Sequence, residues 1–343
     1  MKHVTTTLAA VLAVTTSGLA QTGLIAKLAG TLNVGRPFTH DNLTIFPLTG
    51  SGAATTRLTT LDEGMNSGQV KVSEKNDGEV NTVRMRNTGK TYVFGMAGEI
   101  ISGAKQDRML KNDVLLPPES GWLEVPVYCT EHGRWHGESH SFKSRGYIAA
   151  GRVRDAAAKT MSQSDVWAEV GAARDAVGAT GETEAFARIY EQDDIQAQAK
   201  PFVDKFARIP TDCPDAQGVL VAVGARIVCV DVFGSRGLFQ KMWPKLLRSY
   251  VVDAISQRAR GNLTVQQARE FVRSAAQART VNAPTVGAGQ LLRVSTPGAS
   301  GSALVFKGTV VHLDLFPDGG YWQTDDSGEG APRLDIRRQN SRD

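Results

Sequence analysis

Between Gly98 and Trp135 the chain gathers reactive residue types at close spacing. The stretch contains Gly98-Glu99, Gly103-Ala104-Lys105-Gln106-Asp107-Arg108, Pro117-Pro118 and Cys129-Thr130-Glu131-His132-Gly133-Arg134-Trp135. Charged side chains normally spread over a solvated surface. Here they lie between apolar strand-like runs, 91–94 before and 123–128 within. Two chemistries fit. Lys105, Arg108 and Arg134 suit an anion: arginine gives a two-pronged contact to phosphate or carboxylate, and lysine a point charge. Gly103 and Gly133 let backbone come close, Gln106 offers an amide to a ribose or base, and Trp135 offers a ring to stack on. Alternatively, Glu99 and Glu131 act as an acid/base pair if burial lifts one pKa. Cys129 is then the candidate nucleophile, its thiolate favoured by the nearby cations. The competing assignment is internal. Arg134 pairs with Glu99 or Glu131 and pins two strands, while Cys129 is a small buried hydrophobe. Cys129 and Arg134 stand one residue too close for a Cys-x5-Arg phosphatase loop.

His132, His136 and His140 recur every four residues beside Cys129 and Glu131. Zinc takes such ligands, but Gly133 and Gly137 interrupt any helix that would align them. Solvated histidines at a strand edge are the plainer reading, and no metal is assigned. Three cysteines is an odd number. Either Cys213 and Cys229 pair and leave Cys129 free, or all three stay reduced, since a chain of this size needs no bridge to fold. Nothing resembles a Walker loop, a Rossmann fingerprint or a Ser-His-Asp signature, so no cofactor is assigned.

The elements that must hold these residues are mostly strands up to residue 150. Leu43 to Phe46, Val70 to Ser73, Val80 to Arg86, Thr91 to Met96, Val114 to Leu116 and Leu123 to Tyr128 are apolar or alternate apolar with polar. Thr60 to Ser67 predicts a helical turn. Short strands at this spacing predict an antiparallel β sandwich or partly closed barrel. Residues 151–208 predict helices, one carrying Trp167 and capped by Ser164 or Asp165. Pro201 and Pro244 are expected to break the helical runs that contain them. Thr264 is expected to cap a helix from Val265 to about Ala278. Two late hairpins follow the same pattern: Ile227-Val228-Cys229-Val230-Asp231-Val232-Phe233 echoes Val310-Val311-His312-Leu313-Asp314-Leu315-Phe316. Period two puts Cys229, Asp231 and Phe233 on one face, and His312, Asp314 and Phe316 on the equivalent face. The fold class expected is α+β, with a helical middle and two late β-hairpins in one compact unit.

The central motifs resemble the uncharacterised domain family associated with ADP-ribosylglycohydrolase and rhodanese-phosphatase superfamily proteins. Its members read Gly-Glu, then Gly-Ala-Lys-Gln-Asn-Arg, then Cys-Val-Glu-x-Gly-Arg-Trp. The resemblance extends to Asn42 through Leu48, Leu61-Asp62-Glu63, Val166-Trp167, Asp231-Val232-Phe233 and the run 243–250. Asp107 stands where members have Asn, and Thr130 where they have Val. The resemblance implies a lean toward ADP-ribose, NAD or related nucleotide chemistry. Two functions follow from the stretch. One is binding or processing of a phosphorylated, nucleotide-like molecule in a polar cleft. The other is a non-enzymatic structural, assembly or binding module in which the same residues form an internal ion-pair network.

The 343-residue chain opens like an export signal: Met1-Lys2-His3, a modest apolar run from Thr5 to Thr16, and small residues at Gly18-Leu19-Ala20. Residues 1–20 are expected to leave with export to a periplasmic or extracellular space. The regions expected next are β-rich 21–150, the helical and hairpin region 151–323, and a polar disordered tail 324–343. A net charge of +4 argues against nucleic acid as partner. No later run is long enough for membrane insertion. A small anionic ligand is the partner the residues suggest.

Overall fold

The computed structural model describes residues 23–52, 54–76, 78–131 and 140–319. The expected signal segment (1–20) and the whole of the expected tail (324–343) lie outside these residues.

The chain opens with helix α1 (residues 23–31). Short elements follow: β1 (Asn33–Val34), β2 (Phe38–His40), β3 (Leu43–Thr49), β4 (Leu58–Thr60), α2 (Leu61–Asn66), β5 (Val70–Glu74) and β6 (Thr82–Asn87). Next come β7 (Tyr92–Gly95), β8 (Glu99–Gly103), β9 (Arg108–Leu110), β10 (Val114–Leu116), β11 (Leu123–Cys129) and β12 (Phe142–Ile148). The helical middle holds α3 (Gly151–Thr160), α4 (Gln163–Val177), a 3-10 turn (Phe186–Tyr190), α5 (Asp193–Phe206) and α6 (Ile209–Asp212). The chain returns to strands with β13 (Ala216–Val223) and β14 (Arg226–Phe233), then forms α7 (Arg236–Ile255) and α8 (Val265–Ser274). It closes on β15 (Arg279–Ala283), β16 (Gln290–Thr296), β17 (Ala299–Phe306) and β18 (Thr309–Pro317). The fold is α+β. Among the described residues every strand ladder is antiparallel except that of β4 with β7, and one isolated parallel bridge joins Leu115 to Gly287. No described helix is long and apolar enough to cross a membrane.

The largest sheet runs β1-β3-β13-β14-β18-β17-β16-β15. Alternation along its strands buries two different faces. Ile45, Val219, Val221, Cys229 and Phe233 pack beneath α7, while Phe46, Leu220, Val230 and Leu313 pack in the core that Ile25 of α1 and Val272 of α8 share. A six-stranded sheet, β12-β8-β9-β11-β6-β5, and a three-stranded one, β10-β7-β4, build the first half.

The echoed strands are neighbours. β14 and β18 pair with Asp231 opposite Asp314, so a local two-fold axis passes through that pair. The likeness extends to their hairpin partners. Val219 faces Asp231 as Ser302 faces Asp314, and bulges fall at Val221/Ala222 and Leu304/Val305. Gly218 and Gly301 occupy matched places. A Cβ there would lie 2.3 Å from the Asp231 carbonyl oxygen and 2.0 Å from that of Asp314. Both sites need glycine because backbone comes too close.

Local chemistry accounts for the helix starts. Thr60 and Glu63 form a capping box on α2, as Thr264 and Gln267 do on α8. On α4 the cap is Ser162, which accepts from the Asp165 amide, in place of the expected Ser164 or Asp165. Neither proline breaks its helix: α5 runs through Pro201 and α7 through Pro244. Both prolines are exposed, as are Ala197 and Gln240 four residues earlier, so the carbonyls left without a donor belong to residues open to solvent. Burial of the opposite face, with Phe202 and Phe206 on α5 and Met242, Trp243 and Leu247 on α7, keeps each helix continuous through the defect.

Candidate functional site

The Gly103-to-Arg108 motif is the hairpin turn between β8 and β9. Gly103 sits at φ +125° and Ala104 at +47°, conformations that suit a turn. Asp107 closes it: one carboxylate oxygen accepts from the Gly103 amide at 3.1 Å, the other from the Ser102 hydroxyl at 3.0 Å. The acid that departs from the family pattern is thus occupied by its own turn. Cys129 ends β11 directly opposite Arg108. Its thiol donates to the Gln106 side chain at 3.2 Å. Arg108 is fully buried, donates to the Gln106 carbonyl at 3.0 Å and lies 3.7 Å from Glu74. Glu131 accepts from the Asp107 amide at 3.0 Å, and the Lys105 amide donates to Glu74 at 3.3 Å.

These contacts decide the local electrostatics. Burial pushes the Cys129 thiol up to about 11, with Arg108 pulling the other way and Glu74 and Glu131 reinforcing the rise. At neutral pH it is a thiol, not a thiolate. Gln106, Arg108, Cys129, Glu131 and the Lys105 backbone therefore come together around one turn. Arg134 and Trp135 lie outside the described residues, as do His132 and His136. His140 is exposed, and no group of metal-ligating side chains occurs among the described residues.

Glu99 takes different company. It begins β8, at the far end of that strand from the turn. Its carboxylate accepts from the Met96 amide at 2.6 Å and pairs with Lys245 of α7. Lys245 also meets Asp62 of α2, so one buried ammonium ties a helix and a strand to α7. Burial lowers the Lys245 pKa, against the pull of Asp62. The proposed pairing of Glu99 with Glu131 is not formed: each carboxylate serves separate groups at opposite ends of β8.

The densest cluster centres on Asp231. Arg154 of α3 grips its carboxylate with two nitrogens, at 2.6 and 3.0 Å. Tyr250 donates at 2.6 Å, His312 Nε2 approaches at 3.3 Å and the Cys229 thiol at 3.5 Å. The other His312 nitrogen, Nδ1, lies 2.8 Å from Asp113. Burial disfavours charge on His312, yet Asp113 and Asp231 outweigh it and push its pKa up to about 10. Burial would lift Asp231 too, but Arg154 and His312 hold it well below the usual range. Asp314, across the strand pair, is raised by burial and accepts from the Ser302 amide and hydroxyl at 2.6 and 3.0 Å. Gly98 is explained here, since a Cβ would lie 2.8 Å from the Arg154 side chain. Next door, Asp253 accepts from the Gly151 amide at 2.7 Å, and burial pushes it up to about 7. His312 beside Asp113 has the shape of a base with its orienting acid. Its second nitrogen is spent on Asp231, however, and no part of the ring reaches the surface.

All three cysteines are free. The conditional Cys213–Cys229 bridge is not formed: Cys229 points its sulfur at Asp231 from the middle of a strand. Arg154, Asp113 and Lys245 escaped the sequence reading. Arg154 and Asp113 meet their partners only through the tertiary fold. Lys245 did leave a signal: it falls in helical step with Leu238, Met242 and Ser249, on a face that is otherwise buried.

Residues 31–316 match the family model described as the ARG and Rhodanese-Phosphatase-superfamily-associated Protein domain. No curated protein and no solved structure matches the chain.

Proposed function

We propose a function for a chain that belongs to the ARG and Rhodanese-Phosphatase-superfamily-associated Protein domain family: it is a non-enzymatic binding or assembly module. In this reading the polar stretch from Glu99 to Glu131 is an internal ion-pair network. One observation carries it. Glu99, Arg108, Cys129 and Glu131 are each at most 3 % exposed, and each meets another group of the chain. A nucleophile or general acid must reach substrate. These groups instead join strands to one another and to α7. The other family-pattern residues behave alike. Asn42 donates to the Ala254 and Gln257 carbonyls at the end of α7, Asp62 meets Lys245, and Asp231 is the hub beneath Tyr250.

Denaturant melts of two Arg108 variants, run beside a thermal-shift screen with ADP-ribose and NAD, test the reading. Arg108→Met leaves buried carboxylates without their cation and is expected to cost about 3–5 kcal/mol. Arg108→Lys is expected to recover only part, having lost the planar fork. Wild-type stability in both variants, with a nucleotide response present in the parent and absent from them, would overturn it in favour of a ligand site.

A further inference from the structure

A groove opens away from the charged networks, walled by α5, α7, β12 and the 3-10 turn. Its volume is about 480 Å³, inside the ~300–1,000 Å³ span of small-molecule sites. Ile189, Ile195, Val203, Val252 and Ile255 make the walls apolar. On one side Tyr147 and Tyr190 stack, with ring centres 4.6 Å apart and planes 29° from parallel. Tyr190 is held in place: its hydroxyl donates to the Ile148 carbonyl at 2.6 Å, and Phe186 meets its ring edge-on. A fixed, half-buried aromatic face costs little entropy to use as a stacking surface.

The charges around the groove are unequal. Lys200 is paired with Asp204, and Arg145, two residues before Tyr147, with Glu191. Asp193 sits in the first turn of α5, where it complements the helix dipole. Arg248 is different. It lines the groove from α7, is exposed, and forms no ion pair with any described carboxylate. One unspent guanidinium beside an apolar, aromatic wall is a recognisable combination. It accepts a flat hydrophobic body through the walls and a single acidic group through a charge-assisted hydrogen bond.

We infer that this groove binds a small amphipathic organic acid: an aromatic or other flat apolar body carrying one carboxylate, sulfonate or phosphate. The inference rests on the reading of the chain as a binding module and names where it binds. The acid lies toward Arg248, and the flat body lies along the tyrosine pair between α5 and α7.

Two dyes with the same aromatic body separate the parts of the claim: anionic 8-anilinonaphthalene-1-sulfonate and its uncharged parent, N-phenyl-1-naphthylamine. Both are titrated into folded full-length protein, and the rise in emission gives each Kd. The anionic dye is expected to bind about tenfold tighter, the worth of one hydrogen bond to a charged group. Arg248→Gln should abolish that preference and leave the neutral dye unchanged. Ala199→Trp, which places an indole in the groove from partly exposed α5, should weaken both dyes. Neither residue belongs to the Glu99–Glu131 stretch; Ala199 packs against the core beneath α5, so melts of both variants are run first and dye affinities are compared at a temperature where each is fully folded. Absence of saturable binding by either dye overturns the inference. So does anionic-dye affinity indifferent to both substitutions, which would place the dye elsewhere. The Arg108 melts report on the polar stretch alone, so either idea can fail without the other.

Discussion

Asp253 shows what a single residue contributes when burial outweighs its hydrogen bonds. Two backbone amides favour its charged form, but desolvation is the larger effect, and the carboxyl is lifted to about 7. The folded state therefore holds a proton that the unfolded chain, at about 3.9, gives up. Linkage fixes the sign: between about pH 4 and 7 stability falls as pH rises, and above 7 the loss is complete. Asp253→Asn keeps an acceptor for the Gly151 amide and removes the titration. Against wild type, its unfolding free energy should be similar near pH 4 and higher by a few kcal/mol at pH 8, each pKa unit being worth about 1.4 kcal/mol. Urea melts across that range check this; a constant difference at all pH values would show that Asp253 does not titrate there. Nothing around Asp253 in the sequence announces this. Its partner Gly151 lies far back in the chain, and the alternation rules that flagged Asp231 and Asp314 have no counterpart for an acid on a helix.

At the scale of elements, the strand pattern was legible and the helix interruptions were not. Alternation placed Cys229, Asp231 and Phe233 on one face, the run from Thr60 to Ser67 was legible as the helical turn of α2, and Thr264 marked the start of α8. Pro201 and Pro244 misled because proline reports a missing donor, whereas the helix responds to where the orphaned carbonyl points. The Gly103–Arg108 motif was visible as a cluster of charge. Its identity as a hairpin turn depended on Asp107 folding back on Gly103, which spacing alone does not reveal. Glycines give an element-scale test. Gly218→Ala and Gly301→Ala both drive a methyl against a neighbouring strand's backbone, at matched positions. Each is expected to lower stability by roughly 1–3 kcal/mol, the usual cost of overpacking. Gly171→Ala, in α4 with nothing within 4 Å of the new methyl, is expected to raise it by up to about 1 kcal/mol. Denaturant midpoints compare the three, and a harmless Gly301→Ala would show that the strands can part there.

For the whole molecule, the decisive junction is the single pair β14–β18, where the two like hairpins meet to make one sheet. Like charges directly opposite in a strand pair are destabilising, yet Asp231 faces Asp314. Arg154 resolves the conflict from outside the sheet. It is bidentate to Asp231 and 3.9 Å from Asp314. Arg154→Met should therefore loosen this junction before the rest. Amide hydrogen exchange at Val230, Val232, Leu313 and Leu315 is expected to accelerate more than at Val72 and Val83 in the first-half sheet. Uniform acceleration would show instead that the molecule opens only as one unit.

That junction also bears on ancestry. Two separate copies of one hairpin unit, meeting through this strand as a homodimer, would set identical aspartates face to face on the symmetry axis. With identical chains, neither acid could be treated differently from the other. Closing such an interface would require both acids to be neutralised alike, by a shared proton, a cation on the axis or a pair of symmetry-related cations. Within one chain the requirement lapses. Arg154 can grip one aspartate while the other is pushed toward its protonated form beside Ser302. The unequal treatment of two facing aspartates is thus something a single polypeptide permits and a symmetric pair of chains does not.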